Sequence, residues 1–185
     1  MLILSLGVAL WIGVHLFKRL APVRRANLGD AAKGPIAGVL LVALVLMVWG
    51  YLRADLVPVY MPLPGMGHAN NTLMLISLFL FGVGGTKGTL YPRMRHPMLW
   101  GAVIWAVAHL LVNGDLAAII LFGGIGLWAL VEMGLINLAA PWTAPAAGRG
   151  IKGDAGNLVV ALVLYGVIAY AHIWLGHSPF LGSYY

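Results

Sequence analysis

The sequence predicts an all-α polytopic membrane protein, a bundle of about six transmembrane helices that forms one membrane domain over residues 1–185. Hydrophobic residues make up 62% of the chain and charged residues only 9%, which leaves too little polar surface to cover a water-soluble core. Apolar runs long enough to cross a bilayer as a helix recur along the chain. The predicted helices cover about residues 2–17, 34–52, 70–86, 97–113, 115–136 and 155–176.

The basic residues lie in the gaps after the first, third and fifth predicted helices. Ten of the eleven Lys and Arg residues are found there, and only Arg53 falls in a gap on the other side. The positive-inside rule therefore predicts that both termini lie outside the cytoplasm. Because the net charge of +6 comes from short gaps and not from a solvated basic stripe, it indicates topology in a lipid bilayer and no nucleic-acid partner.

The chain contains no cysteine. This excludes disulfides, thiolate metal sites, iron–sulfur ligation and covalent haem attachment, so any cofactor must be held by histidine or by oxygen ligands. The N-terminal apolar run has no basic region before it and no small-residue cleavage site. We therefore expect it to be a retained helix and not a signal peptide.

The fourth predicted helix carries an ionisable side chain, His109, inside its apolar run. Such a residue is costly in a membrane and is therefore a functional candidate. At helical spacing His109 shares a face with Trp105, Gly101 and Asn113, a stripe that can line a flat ligand. Neutral imidazole is a common metal ligand, so we predict that His109 binds a metal. The alternative is a packing histidine that is hydrogen-bonded to a neighbouring helix.

The same helix begins with a second histidine, His96. It precedes His109 by about 20 Å of helix rise and points to roughly the opposite face, so the two cannot bind one ion from the same side. If the antiparallel fourth and fifth helices turn about Gly114, Glu132 lies at the depth of Arg95 and His96. This predicts a structural ion pair, with a proton relay as the functional alternative.

Four further residues complete the candidate set. Asp115 is predicted to be the N-cap of the fifth helix, although Asp115 or Asn113 could instead fix the tautomer of a histidine. His15 lies near the inner end of the first helix and His172 near the outer end of the sixth, while His68 falls in an outer loop.

Five segments carry a resemblance to a known family: Arg95-His96-Pro97, His109, Asn113-Gly114-Asp115, Gly13-Val14-His15-Leu16 and Ala171-His172. Together they resemble the NnrU family of bacterial membrane proteins, which is related to plant 15-cis-ζ-carotene isomerase. The likeness covers nearly the whole chain. It implies a bacterial inner-membrane protein that binds haem b non-covalently through two axial histidines, which fall on His15 and His109.

The resemblance also implies a function. It suggests a redox-gated cis–trans isomerase or an electron-transfer protein that acts with a redox partner on an apolar small molecule or lipid, or a factor associated with denitrification. Ala106 stands where the plant enzyme has a cysteine, so an iron–thiolate step does not transfer to this chain. Helix rise places His15 and His109 about 10–15 Å apart in height, which makes His172 the rival second ligand.

Two other classes of protein remain open. Isoprenylcysteine carboxyl methyltransferases also carry an Arg-His-Pro-x-x-x-Gly segment, matched here by residues 95–101, but this chain lacks the acidic pair and tyrosine-rich stretch that follow it in those S-adenosylmethionine-dependent enzymes. A non-enzymatic transporter or assembly subunit would use Arg95, Glu132 and Asp115 to line a path.

Overall fold

The protein is an all-α bundle in the computed structural model, which describes residues 1–180. This confirms the predicted fold class. Within the described residues, extended structure is limited to an isolated bridge between Pro58 and Asp115. The helices are α1 (Leu2–Leu20), α2 (Pro22–Asn27), α3 (Lys33–Leu52), α4 (Met66–Thr86), α5 (Pro97–Leu110), α6 (Leu116–Ala139) and α7 (Gly150–Trp174).

Five helices, α1, α3, α4, α6 and α7, are long and apolar enough to cross a membrane. The protein is therefore a multi-pass membrane protein. The helix α5 has only 14 residues, about 21 Å of rise, and is shorter than a hydrocarbon core of about 30 Å. It is shielded by α4 on one side and α6 on the other.

The helix α5 ends at Leu110, three residues earlier than predicted, because the loop after α3 closes over its end. The backbone N–H groups of Val59 and Tyr60 donate to the carbonyl of Gly114 at 2.8 and 3.0 Å. The Tyr60 hydroxyl contacts the carbonyl oxygens of Leu110 and Asn113, the second at 2.9 Å. These contacts satisfy carbonyls that a helix end leaves free.

The five long helices and the shorter α5 pack in a series, α3 on α1, α1 on α6, α6 on α5, α5 on α4, and α4 on α7. The largest core cluster lies where α1, α3, α5 and α6 meet, around Leu4, Met47, Ala102 and Trp128. At the α4–α5 contact a methyl group on Gly101 would lie 3.1 Å from the carbonyl oxygen of Ser77, so a glycine permits the close approach.

Helices α1, α4 and α6 end, and α3, α5 and α7 begin, at one end of the bundle, which we call the basic end. The ten basic residues of the predicted inner gaps lie in or beside the segments at this end. The basic end also carries α2, in a segment predicted to be a gap between helices. At the opposite end, the loop end, residues 53–65 cross over the turn between α5 and α6.

The register of α5 against α6 differs by about one turn from the expectation. Arg95 donates to the carbonyls of Ile136 and Ala140 at 3.2 and 2.8 Å, and the His96 ring lies 2.9 Å from the side-chain oxygen of Asn137. The predicted pairing of Glu132 with Arg95 or His96 is therefore wrong.

Two features of the chain between α5 and the middle of α6 contribute to the shift. First, α5 stops at Leu110 while α6 starts at Leu116, so the connection is not symmetrical about Gly114. Second, α6 contains a π-helical stretch over Ile119–Gly123, which takes up extra residues within one turn. The partner of Glu132 is instead Arg19, at 2.6 Å.

Candidate functional site

The His109 ring is half-buried and held by its own helix. Its Nδ1 lies 2.9 Å from the carbonyl oxygen of Trp105, one turn earlier. Because a carbonyl can only accept, Nδ1 carries the proton and Nε2 of the neutral ring keeps its lone pair. The ring stacks on Phe122 of α6, with centroids 4.3 Å apart, and also contacts the Trp105 ring at 5.0 Å. His109 is therefore an oriented nitrogen donor in an aromatic surround.

His172 on α7 has the same internal arrangement. Its Nδ1 lies 2.8 Å from the carbonyl oxygen of Ile168, so its Nε2 is also the unprotonated nitrogen of the neutral ring. The side chain is half-buried.

Helix register sets the relative heights of these two histidines. Asn70 on α4 donates to the carbonyl of Ala108 on α5 at 2.9 Å, and Asn157 on α7 donates to the carbonyl of Phe79 on α4 at 2.8 Å. Counting from these bonds along the antiparallel helices, His109 and His172 both fall beside the first turns of α4. They therefore share a depth near the loop end of the bundle.

His15 lies in a different part of the bundle, between α1 and α6. Its Nδ1 is 2.8 Å from the carbonyl oxygen of Trp11, and its ring contacts Trp11 and Trp128 with centroid distances of 4.4 and 4.6 Å. The rings of Trp11 and Trp128 meet edge to face at 5.8 Å. His15 is therefore enclosed by two indoles, whereas His109 is enclosed by Trp105 and Phe122.

A repeated sequence signal accompanies these two sites and was missed in the sequence analysis. Trp11 precedes His15 by four residues, and Trp105 precedes His109 by four. In a helix this spacing brings the tryptophan carbonyl to the histidine Nδ1 and stacks the side chains on one face. The aromatic partners on α6, Phe122 and Trp128, had no signal that pointed to them, because their role depends on the packing of α6.

The α1–α6 contact continues toward the basic end with an ion pair. Arg19 lies one turn beyond His15, and its Nε donates to Oε1 of Glu132, one turn beyond Trp128. The Glu132 side chain is 8% exposed and that of Arg19 is 26% exposed. Within the described residues, three buried polar atoms of this contact have no hydrogen-bond partner: Oε2 of Glu132 and Nε1 of Trp11 and Trp128.

The other predicted site residues divide between the two ends of the bundle. Asn113 donates to the carbonyl of His109 at 2.9 Å, so it supports the backbone and does not touch the imidazole. Asp115 accepts from the backbone N–H of Ala118 at 2.9 Å, which confirms it as an N-cap. Gly101 faces α4, apart from Trp105, which packs on Phe122 at 4.9 Å.

Arg95 and His96 lie at the basic end and hold the last turn of α6. His68, which was predicted to fall in an outer loop, lies instead on the first turn of α4, because that helix begins at Met66; its side chain is exposed. His96 precedes the first helical residue of α5, Pro97, a position that proline suits because its missing N–H would be unpaired there. The structure therefore separates His96 from His109, as the sequence predicted.

The histidine nitrogens available inside the bundle suit a cofactor that needs few protein ligands. Among residues 1–180 no three His, Asp or Glu side chains converge in a way that could hold a metal ion. Haem b needs only axial ligands, since its macrocycle supplies the other four nitrogens. His109 and His172 each present an unprotonated Nε2, and the aromatic and apolar neighbours of His109 suit a flat macrocycle.

Fold and site together define a multi-pass α-helical membrane protein with oriented histidines inside its helices. The family model described as NnrU protein matches residues 3–179, nearly the whole chain. The chain belongs to the NnrU family, which is the family related to 15-cis-ζ-carotene isomerase. Comparison with curated proteins and with solved structures gives no significant match.

Proposed function

We propose that the protein binds haem b within the membrane, with His109 and His172 as the axial ligands, and that it serves in electron transfer. The observation that carries this proposal is that the register of α5 and α7 on α4 brings two rings to one depth, each with its proton on a carbonyl and Nε2 free. Their common depth near the loop end supports the pairing. His15 has the same tautomer but lies between α1 and α6. His15, the ligand implied by the family resemblance, is the competing choice.

Two backbone carbonyls and one aromatic ring orient the proposed histidine ligands. The Trp105 and Ile168 carbonyls hold the two imidazoles in orientation and increase their basicity, as acceptors behind metal-bound histidines commonly do. Phe122 supports one face of His109. When bound, haem with two histidine ligands supplies one-electron redox chemistry.

We also propose a place for this activity in the cell. The basic end would face the cytoplasm of a bacterial inner membrane and both termini the periplasm, because ten of the eleven basic residues belong to the basic end. An apolar molecule or lipid would then reach the haem laterally through the bilayer, and a redox partner would meet the loop end. A C-terminal alkaline phosphatase fusion should be active and a green fluorescent protein fusion dark; the reverse pattern contradicts this orientation.

The test of haem binding is the visible spectrum of the purified protein, oxidised and after dithionite reduction. The wild type should show Soret and α bands, and their absence overturns the proposal. His109→Ala and His172→Ala should each lose haem or shift the bands. His15→Ala should retain them, whereas loss of haem in His15→Ala with retention in His172→Ala would assign the second ligand to His15.

A matched control separates ligand loss from misfolding. His96 is a half-buried histidine of the same helix as His109, but it contacts Asn137 at the basic end, so His96→Ala should leave the spectrum unchanged. All variants are compared at equal amounts of monodisperse protein from size exclusion. His109→Met supplies a thioether in a side chain of similar length and should shift the bands instead of abolishing them.

The two alternative classes, a transporter or assembly subunit and a methyltransferase, make different predictions. A transporter or assembly subunit would have no absorbance for His109→Ala to change. A methyltransferase would bind S-adenosylmethionine by calorimetry. The stretch from Glu132 to Trp142 contains one acid, Glu132, which is paired with Arg19, and this argues against the methyltransferase.

A further inference from the structure

The basic end carries a cleft between the end of α1, the short helix α2 and the last turn of α6. Its volume is about 530 Å³. The bend that forms it lies at Ala21, which leaves helical geometry (φ −133°, ψ 59°), and Pro22 then starts α2 in a new direction. The lining residues are Lys18, Arg19, Pro22, Arg25, Ala26, Leu135 and Ala139.

The cleft has an excess of positive charge. Arg19 is neutralised by Glu132 at 2.6 Å, and the nearby Asp30 is paired with Lys33 at 2.9 Å. Among the described residues, Lys18 and Arg25 take part in no ion pair. Arg25 donates to the carbonyl of Gly29 at 3.1 Å, which positions the guanidinium without reducing its charge.

The rest of the lining is apolar. Pro22, Ala26, Leu135 and Ala139 present hydrocarbon beside the two free cations. The cleft lies where membrane-spanning helices end, so it is at the level where lipid headgroups meet acyl chains. Two cations above an apolar wall match a molecule with an anionic head and a hydrocarbon tail.

From this arrangement we propose that the cleft binds an anionic phospholipid of the surrounding membrane, with its phosphate between Lys18 and Arg25 and its glycerol and upper acyl carbons against Leu135 and Ala139. The lipid would link α1 and α2 to the end of α6, the same elements that the Arg19–Glu132 pair joins. This site is independent of any haem, because the histidines proposed as ligands lie at the loop end.

The test is native mass spectrometry of the delipidated, detergent-purified full chain. It is titrated with phosphatidylglycerol and, separately, with phosphatidylcholine of the same acyl chains. The wild type should retain one phosphatidylglycerol more tightly than phosphatidylcholine. The Lys18→Gln/Arg25→Gln double variant should bind phosphatidylglycerol about 30-fold more weakly, since each cation near an anionic headgroup contributes a factor of about five.

The control removes the same charge from the same end of the bundle, outside the cleft. Arg93→Gln/Lys152→Gln changes two exposed basic residues and should bind phosphatidylglycerol as the wild type does. An equal loss in both double variants would reduce the effect to net charge and overturn the site. Equal binding of the two lipids by the wild type would also overturn it, as would complete displacement of the lipid by millimolar inorganic phosphate, which indicates recognition of phosphate alone.

Discussion

The Nε of Arg19 donates a 2.6 Å hydrogen bond to Oε1 of Glu132 and joins the last turn of α1 to the middle of α6. The carboxylate is almost fully buried, whereas the guanidinium side chain is 26% exposed. The ion pair therefore stabilises the buried carboxylate of Glu132, which would be costly if it were unpaired in the membrane interior. Glu132 depends on the pair more than Arg19 does, because Arg19 is partly exposed.

This asymmetry predicts unequal effects of the two single substitutions. Arg19→Met strands a buried carboxylate and should lower the free energy of unfolding by about 3 kcal/mol. Glu132→Gln keeps an acceptor for an arginine that can reach water and should cost about 1 kcal/mol. Thermal unfolding in detergent, followed by tryptophan fluorescence, compares them. A larger loss in Glu132→Gln would show that the arginine is the more dependent partner.

Trp128 gives a second prediction, because its buried indole N–H has no partner within the described residues. Trp128→Phe removes this unpaired donor while keeping an aromatic ring against His15, so it should cost less than about 1 kcal/mol. Trp128→Ala leaves a cavity beside His15 and should lower the free energy of unfolding by about 3–5 kcal/mol. Equal losses in the two variants would mean that the indole N–H is hydrogen-bonded to a bound molecule.

The Tyr60 hydroxyl should stabilise the end of α5 next to His109. Tyr60→Phe removes its contacts with the carbonyls of Leu110 and Asn113 at little cost in volume, so we expect a loss of about 1 kcal/mol. Hydrogen exchange should accelerate at the backbone N–H groups of residues 110–114. Unchanged exchange there, with faster exchange elsewhere, would contradict a local role for the hydroxyl.

Asp115 should act through its carboxylate oxygen and not through its charge. Asp115→Ala loses the bond to the backbone N–H of Ala118 and should cost about 1 kcal/mol, while Asp115→Asn, which keeps an acceptor at the N-cap, should be close to the wild type. The two variants are compared by thermal unfolding. If Asn and Ala are equally harmful, the negative charge is what matters.

Much of this protein could be predicted from local sequence. Composition and apolar runs predicted a helical membrane bundle, and the confirmed N-cap at Asp115 needed only a turn before an apolar run. Helix geometry predicted that His96 and His109 lie at different depths and on different faces of their helix. These features depend on residues near one another in the chain, so periodicity and charge are enough to predict them.

Register and partner choice depended on tertiary structure. The early end of α5 and the π-helical stretch in α6 contribute to the register that sets Arg95 beside the carbonyls of Ile136 and Ala140, while the packing of α1 on α6 gives Glu132 its partner, Arg19. One turn of shift changes every partner along a helix pair, and none of these features has a local sequence signature.

The same limit applies to the site. The sequence by itself determined that His15, His109 and His172 lie in helices and that histidine or oxygen ligands must hold any metal, because there is no cysteine. Helix rise already favoured His172 over His15 as the residue at the depth of His109. Only the tertiary structure decided that His109 and His172 lie beside the same turns of α4 and that His15 lies between Trp11 and Trp128. The physical reason is that α4 packs between α5 and α7, and its hydrogen bonds to both helices set their relative heights.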